Sequence, residues 1–181
     1  MIAKLPARTT RAAAAAATLT LAASAMALAD TRRISDPRDR SQKVDPVAAE
    51  HAHHESLDGV LTHTVEAAEP ISAGEFLGMN LRIWLPDGDV APDREVHVGE
   101  NPDGSLYALV SDSKGRTRGY GNAWMPNRRT IRVDLAEMTL ARKLASYRWR
   151  ALVTFECSSS EGQCTAQRDR IPDSGRIRHD V

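Results

Sequence analysis

The chain has 181 residues, a length that suits one domain with a single hydrophobic core. Its 24 basic residues balance 24 acidic residues, so the formal net charge is zero. This balance argues against a general affinity for nucleic acid or for anionic membranes.

The first 29 residues have the form of an export signal. Basic residues precede an uncharged, alanine-rich run over 12–29, which ends in the small-x-small pattern Ala27-Leu28-Ala29. We predict that this signal peptide is cleaved, leaving a secreted, extracellular chain without a membrane span. A retained anchor is the alternative, because 18 uncharged residues are close to the length of a span. The predicted mature chain has 21 basic and 24 acidic residues, a net charge of −3.

Residues 30–46 are predicted to be a charged, flexible linker. Ile34 and Val44 are the two large apolar residues in this segment, too few to build structure alone. The remainder, residues 47–181, is predicted to form one domain.

Within that domain, apolar residues alternate with a period of two, which is typical of half-buried strands. We predict strands at 47–54, 59–65, 81–85, 94–98, 106–110, 117–124, 130–135 and 147–155. A helical turn is expected within 136–145 and an edge strand at 176–179. Seven or eight short strands with little helix predict a mainly β fold, an antiparallel β-sandwich of jelly-roll or immunoglobulin-like type. A β-barrel is the alternative.

The hairpin over 81–98 has an acidic tip. Asp87, Asp89 and Asp93 lie close together in its loop, and carboxylate oxygens are the ligands that Ca²⁺ prefers. The spacing does not fit an EF-hand loop. A solvated turn explains the same residues without a metal, so both interpretations stay open.

Histidines form a second candidate site. His51 and His53 share one face of an extended strand, and His63 is placed on a neighbouring strand. Three imidazoles predict a Zn²⁺ or Cu²⁺ site, with solvated histidines at a strand end as the alternative. His97 and His179 have no evident partner in the sequence.

Aromatic residues form a third candidate site. Trp84 alternates away from the apolar residues of its strand and shares a face with Arg82. Together with Trp124 and Tyr107, it is a candidate ligand-binding residue, since exposed aromatic rings stack on sugars. Packing in a second core layer is the competing explanation.

Two cysteines, Cys157 and Cys164, flank six small or polar residues. In an oxidising compartment such a pair is expected to form a disulfide. A reactive or metal-binding pair is the alternative, although the spacing is not C-x-x-C and no histidine lies between the two.

The chain resembles a group of small secreted β-domain proteins of high-GC Gram-positive bacteria over about residues 45–181. The motifs that carry this resemblance are Asp87-Gly88-Asp89, Pro92-Asp93, Tyr147-Arg148-Trp149-Arg150-Ala151, and Asp169 with Pro172-Asp173 after the cysteine pair. It implies secretion and a β fold, but no activity. Leu85 departs from the group's pattern, which has an acidic residue there, and this weakens the Ca²⁺ hypothesis. More distantly, the run of predicted strands is similar to that of carbohydrate-binding modules and DOMON-type sandwiches, a likeness of fold alone.

Catalytic signatures are absent from the sequence, which has no G-x-S-x-G, H-E-x-x-H, P-loop or dinucleotide fingerprint. We therefore predict no enzyme and no cofactor, but a secreted, non-catalytic domain that binds a glycan or the cell surface. The alternatives are a structural or protein-interaction domain without a small ligand, and a Ca²⁺- or transition-metal-binding domain. The expected partners are an extracellular glycan or a surface protein, not nucleic acid, and we expect a monomer.

Overall fold

The structure, a computed structural model, describes residues 31–36, 45–54, 59–72, 74–88, 90–141, 144–155 and 166–181. The predicted signal peptide and both cysteines lie outside these residues. The strands are β1 (Arg32–Ser35), β2 (Pro46–His54), β3 (Val60–Ala67), β4 (Phe76–Trp84), β5 (Arg94–Glu100), β6 (Leu106–Asp112), β7 (Thr117–Asn127), β8 (Thr130–Ala136), β9 (Ser146–Phe155), β10 (Gln167–Ile171) and β11 (Ile177–Asp180). One helix, α1 (Glu137–Leu140), lies where the sequence predicted a helical turn.

All of these strands belong to one antiparallel sheet, which confirms the predicted mainly β fold. The strand order is β1-β2-β3-β8-β7-β6-β5-β4-β9-β10, and β11 also pairs with β9. The prediction of seven or eight strands was too low, since the described residues form eleven. The eight expected strands correspond to β2–β9, and the expected edge strand at 176–179 corresponds to β11. The two strands that were not predicted, β1 and β10, are short and mostly charged or polar, so their apolar alternation is weak.

Part of the predicted linker is one of these extra strands. Residues 32–35 form β1, which pairs with the outer edge of β2. Partly buried Ile34 packs against the core, and this contact explains why so polar a segment is ordered. Residues 37–44 of the same linker lie outside the described residues.

The two ends of the sheet approach each other, so the sheet is nearly closed. On one edge β9 pairs with β4, and on the other with β10 and then β11. Strand β10 lies beside β2, and the Asp173 amide donates to the Asp36 carboxylate at 3.2 Å. The fold is one continuous sheet that curls around a core. It is therefore intermediate between the predicted β-sandwich and its alternative, a β-barrel.

The inner face of the sheet holds the core. The hairpin β4–β5 contributes Leu81, Ile83, Val96 and Val98, all fully buried as their alternation predicted. Other strands add Ile131, Val133 and Leu135 from β8, and Trp149, Ala151 and Val153 from β9. Within the residues described, no helix is long and apolar enough to cross a membrane.

Candidate functional site

Arginines alternate along the last strands of the chain. In β9 the inner positions hold buried Tyr147 and Trp149, so the arginines between and beyond them lie on the outer face. The same alternation continues in β10 and β11, which pair with β9. The outer surface of these strands and of β4 therefore carries a set that we call the arginine face: Arg82, Arg148, Arg150, Arg168, Arg170, Arg176 and Arg178.

A cleft of about 310 Å³ lies within the arginine face. Its lining residues are Arg82, Arg150, Ala151, Leu152, Arg168, Asp169 and Arg170. The half-buried Leu152 adds an apolar surface, and the Asp169 carboxylate accepts a hydrogen bond from the Arg170 amide at 2.8 Å. The cleft has the size of a small-ligand site.

Positive charge in this cleft is crowded and incompletely paired. Arg82 lies directly opposite Arg150 in the β4–β9 register, and its Nε is 3.1 Å from a carboxylate oxygen of Glu95. In the described part of the chain, Arg150, Arg168 and Arg170 form no ion pair. Like charges opposite each other destabilise a sheet, so the arrangement has an energetic cost.

The pKa of Arg150 reflects this crowding. Partial burial lowers the pKa of Arg150 below its ordinary value, and the charges of Arg170, Arg82 and Arg176 lower it further. A guanidinium nevertheless stays protonated at neutral pH. The cleft is therefore strongly positive although the chain as a whole carries no net charge.

Trp84, a predicted ligand-binding residue, lies beneath the arginines. Its side chain is only 3% exposed, and its indole N–H approaches the Val90 carbonyl at 3.4 Å. The guanidinium carbon of Arg176 lies 4.0 Å from the centre of its ring, and that of Arg150 lies 5.9 Å away. Since cations are attracted to the face of an indole, Trp84 holds these guanidiniums in place.

The other two predicted aromatic residues lie on other strands. Half-buried Trp124 in β7 is covered by the guanidinium of Arg132 from β8, 5.0 Å from the ring centre. Tyr107 in β6 is 38% exposed, and the centre of its ring lies 5.9 Å from the centre of the His97 ring. The structure does not bring Trp84, Trp124 and Tyr107 into one patch.

The acidic hairpin tip is built as a turn. The Asp93 carboxylate accepts the Leu85 amide at 2.9 Å, and the Gly88 amide donates to the Leu85 carbonyl at 2.9 Å. Asp87 is exposed, and Asp89 lies outside the described residues. The Asp93 carboxylate is thus engaged in closing the loop.

Histidines gather inside the sheet. His51 in β2 lies directly opposite His63 in β3, and both are fully buried. His179 in β11, for which the sequence showed no partner, stacks on His51 with the ring centres 3.9 Å apart. The indole of Trp149 donates to His51 Nδ1 at 3.1 Å, and His53 is buried on the same face.

Tyr147 joins two of these histidines. Its hydroxyl lies 2.8 Å from His63 Nε2 and 2.6 Å from His179 Nδ1. Burial lowers the pKa of His63 well below its ordinary value and lowers that of His179 to about 3, with neighbouring histidines adding to both shifts. Burial also raises the pKa of Tyr147. All three side chains are therefore neutral at neutral pH.

Metal binding gains no geometric support from this cluster. Among the described residues, no three His, Cys, Asp or Glu side chains are arranged to hold a metal ion. The predicted sites at His51, His53 and His63 and at the acidic loop stay hypotheses.

No protein-family model matches this chain, and no curated protein or solved structure is significantly similar to it. Function is therefore inferred from the arginine face itself. Apolar alternation and aromatic positions did not predict this face. The sequence does contain a signal for it, because three of its five R-x-R patterns, at 148–150, 168–170 and 176–178, follow one another near the end of the chain. In an extended strand, this spacing puts both arginines on one side.

Proposed function

We propose that this chain is an exported, non-catalytic binding domain that holds an anionic glycan on its arginine face. One observation carries the proposal: Arg150 is surrounded by Arg82, Arg170 and Arg176, and it has no ion pair within the described residues. The ligand we propose is a sugar chain that bears carboxylate, sulfate or phosphate groups.

A bound anion would offset the repulsion within the cleft. Each guanidinium presents a planar set of donors that matches an oxyanion with two hydrogen bonds. The partial burial of Arg150 weakens its hydration, so an anion competes with less water there. Arg168 and Arg170 are exposed on the adjacent strand and can contact further anionic groups along a chain.

The surroundings of the cleft favour a glycan over other polyanions. Its volume suits a single small group rather than a duplex groove, and Leu152 provides an apolar surface for the carbon face of a sugar. Trp84 contributes by positioning Arg150 and Arg176 rather than by stacking on the sugar.

The test compares the binding of three probes to the full-length chain by isothermal titration calorimetry at low salt. The probes are heparin, a sulfated glycan; polygalacturonate, a carboxylated one; and dextran, which is neutral. We expect binding to at least one charged glycan and none to dextran. The double variant Arg150→Gln/Arg170→Gln should weaken binding at least about tenfold, since hydrogen bonds to charged groups contribute about 1.5–3 kcal/mol each.

The matched control is Arg128→Gln, which removes an exposed arginine in the turn between β7 and β8, away from the arginine face. It should bind as the wild type does. Equal binding by the double variant and the wild type would refute the site. Tighter binding to single-stranded DNA than to either charged glycan would overturn the ligand class.

A further inference from the structure

A second cleft opens on the arginine face. Its volume is about 360 Å³, and it is lined by Trp84, Pro86, Ser146, Tyr147, Arg148 and Arg178. We call it the proline cleft, because exposed Pro86 is one of its lining residues, and we call the cleft around Arg150 the arginine cleft. The two clefts share no lining residue. The arginine face therefore offers two separate places for a ligand.

The register of the sheet places the two clefts side by side. Arg82 lies opposite Arg150 in the β4–β9 ladder, and this pair lines the arginine cleft. The next pair on the same face, Trp84 opposite Arg148, lines the proline cleft. Two residues along a strand span about 7 Å. Neighbouring units of one sugar chain can therefore occupy both clefts at the same time.

The arginines of the proline cleft are engaged within the protein, unlike those of the arginine cleft. Arg178 donates from Nε to the Asp180 carboxylate at 2.8 Å. Arg148 donates from Nη2 to the Gly88 carbonyl at 3.0 Å. Each guanidinium keeps further N–H groups, which can donate to neutral acceptors such as sugar hydroxyls. The proline cleft thus suits an uncharged part of a ligand, whereas the arginine cleft suits an anionic group.

The remaining side chains of the proline cleft fit the ring of a sugar. Half-buried Ser146 lies on the same face of β9 as Arg148, and its hydroxyl can both donate and accept a hydrogen bond. The exposed ring of Pro86 presents methylene groups against which the carbon face of a sugar can pack. Trp84 does not compete for this role, because the Arg176 guanidinium covers its ring at 4.0 Å. A few polar groups beside an apolar surface are typical of a small-ligand site.

We propose that the proline cleft is a second subsite, which holds the sugar next to the one whose anionic group lies in the arginine cleft. Because this subsite rests on the proposed function, its ligand is the same anionic glycan, now defined as a chain of at least two sugars. A single charged sugar reaches the arginine cleft alone. Contact of the next sugar with Pro86 and Ser146 adds affinity without adding an ion pair, so the proline cleft selects for the length of the glycan.

The test measures the binding of long and short probes to the full-length chain by NMR chemical-shift titration. The probes are heparin octasaccharide with glucose 6-sulfate, and octagalacturonate with galacturonate. Pro86→Ala should weaken octasaccharide binding about three- to tenfold, because it removes two ring methylenes from the contact. Ser146→Leu fills the cleft and should weaken octasaccharide binding at least as much. Neither variant changes a charge, and both should bind the single sugar as the wild type does.

The matched control is Pro102→Ala, in the turn at the other end of β5. Like Pro86, Pro102 is exposed and occupies the second position of a tight turn, here closed by the Gly104 amide, which donates to the Asn101 carbonyl at 2.9 Å. This control should bind every probe as the wild type does.

Unchanged octasaccharide binding in Pro86→Ala and Ser146→Leu, with loss of binding in Arg150→Gln/Arg170→Gln, would overturn the second subsite and leave the proposed function in place. Equal weakening for the single sugar and the octasaccharide would also overturn it, since the clefts would not then act separately. Absence of binding to every charged probe would refute the proposed function together with the subsite. Pro86→Ala should keep the salt dependence of the wild type, and a weaker dependence would overturn a neutral contact at Pro86.

Discussion

Gly121 in β7 lies so close to the neighbouring strand β8 that a side chain at this position has no room. A Cβ at this position would lie 2.7 Å from the backbone oxygen of Asp134 and 2.5 Å from a methyl group of Leu135. Backbone atoms cannot rotate away from such a contact. At Gly119 in the same strand the nearest atom is a side-chain methyl of Thr139, at 2.9 Å. The interruption of this strand by glycines in the sequence thus has a packing cause at Gly121.

We therefore expect Gly121→Ala to lower the free energy of unfolding by about 1–3 kcal/mol, the usual cost of overpacking. Gly119→Ala should change it by less than about 1 kcal/mol, because Thr139 can adjust and alanine restricts the unfolded chain. Urea denaturation followed by circular dichroism measures both. Equal destabilisation by the two variants would contradict the close-packing argument.

Contacts between residues on strands that follow each other in the sequence were easier to predict than contacts between residues far apart in the chain. Alternation placed His51 and His53 on one face, and chain order placed His63 on the next strand. The contact between His51 and His179 joins residues far apart in the chain, and it depends on how the sheet closes. No local pattern encodes that closure. The contact between the Arg176 guanidinium and the Trp84 ring could not be predicted for the same reason.

Strands could be predicted from the sequence where buried apolar residues recur along their whole length. Strands β3–β6, β8 and β9 span at least seven residues and bury apolar residues at alternate positions, and this period appears directly in the sequence. Strands β1 and β10, which were not predicted, have four and five residues with few apolar side chains. Their positions are set by pairing with the edges of β2 and β9, a tertiary effect that overrides weak local preference.

The hairpin formed by β9 and β10 carries the candidate cleft, and the two cysteines lie in the segment between these strands. We expect Cys157 and Cys164 to form a disulfide that stabilises the fold by about 2.5 kcal/mol, because closing a loop restricts the unfolded chain. Urea denaturation with and without reductant measures this difference. The double variant Cys157→Ser/Cys164→Ser should be insensitive to reductant. Two reactive thiols in the native, unreduced protein would contradict the prediction.

At the scale of the whole molecule, overall charge conceals local charge. The zero net charge of the sequence predicted no general affinity for polyanions, and for the average surface this expectation is unchanged. The sheet register, however, collects arginines from β4, β9, β10 and β11 on one side. A balanced total is compatible with a strongly positive face because the seven arginines of this face outnumber the acidic residues that the structure places beside them, which are Glu95, Asp169 and Asp180.

This asymmetry makes the proposed binding dependent on salt. Contacts between guanidiniums and a polyanion release bound counterions, so the logarithm of the binding constant should fall linearly with the logarithm of the salt concentration. For three contacts, from Arg150, Arg168 and Arg170, we expect a slope of about −2 to −3 with heparin, by analogy with about −0.7 per contact for single-stranded polyanions. Arg168→Gln should make the slope shallower by about 0.7, the value for one contact. Arg128→Gln should leave the slope unchanged. Calorimetry over a range of NaCl concentrations gives these slopes. A slope near zero in the wild type would show that the arginines do not carry the binding, since charge pairing with a polyanion releases counterions.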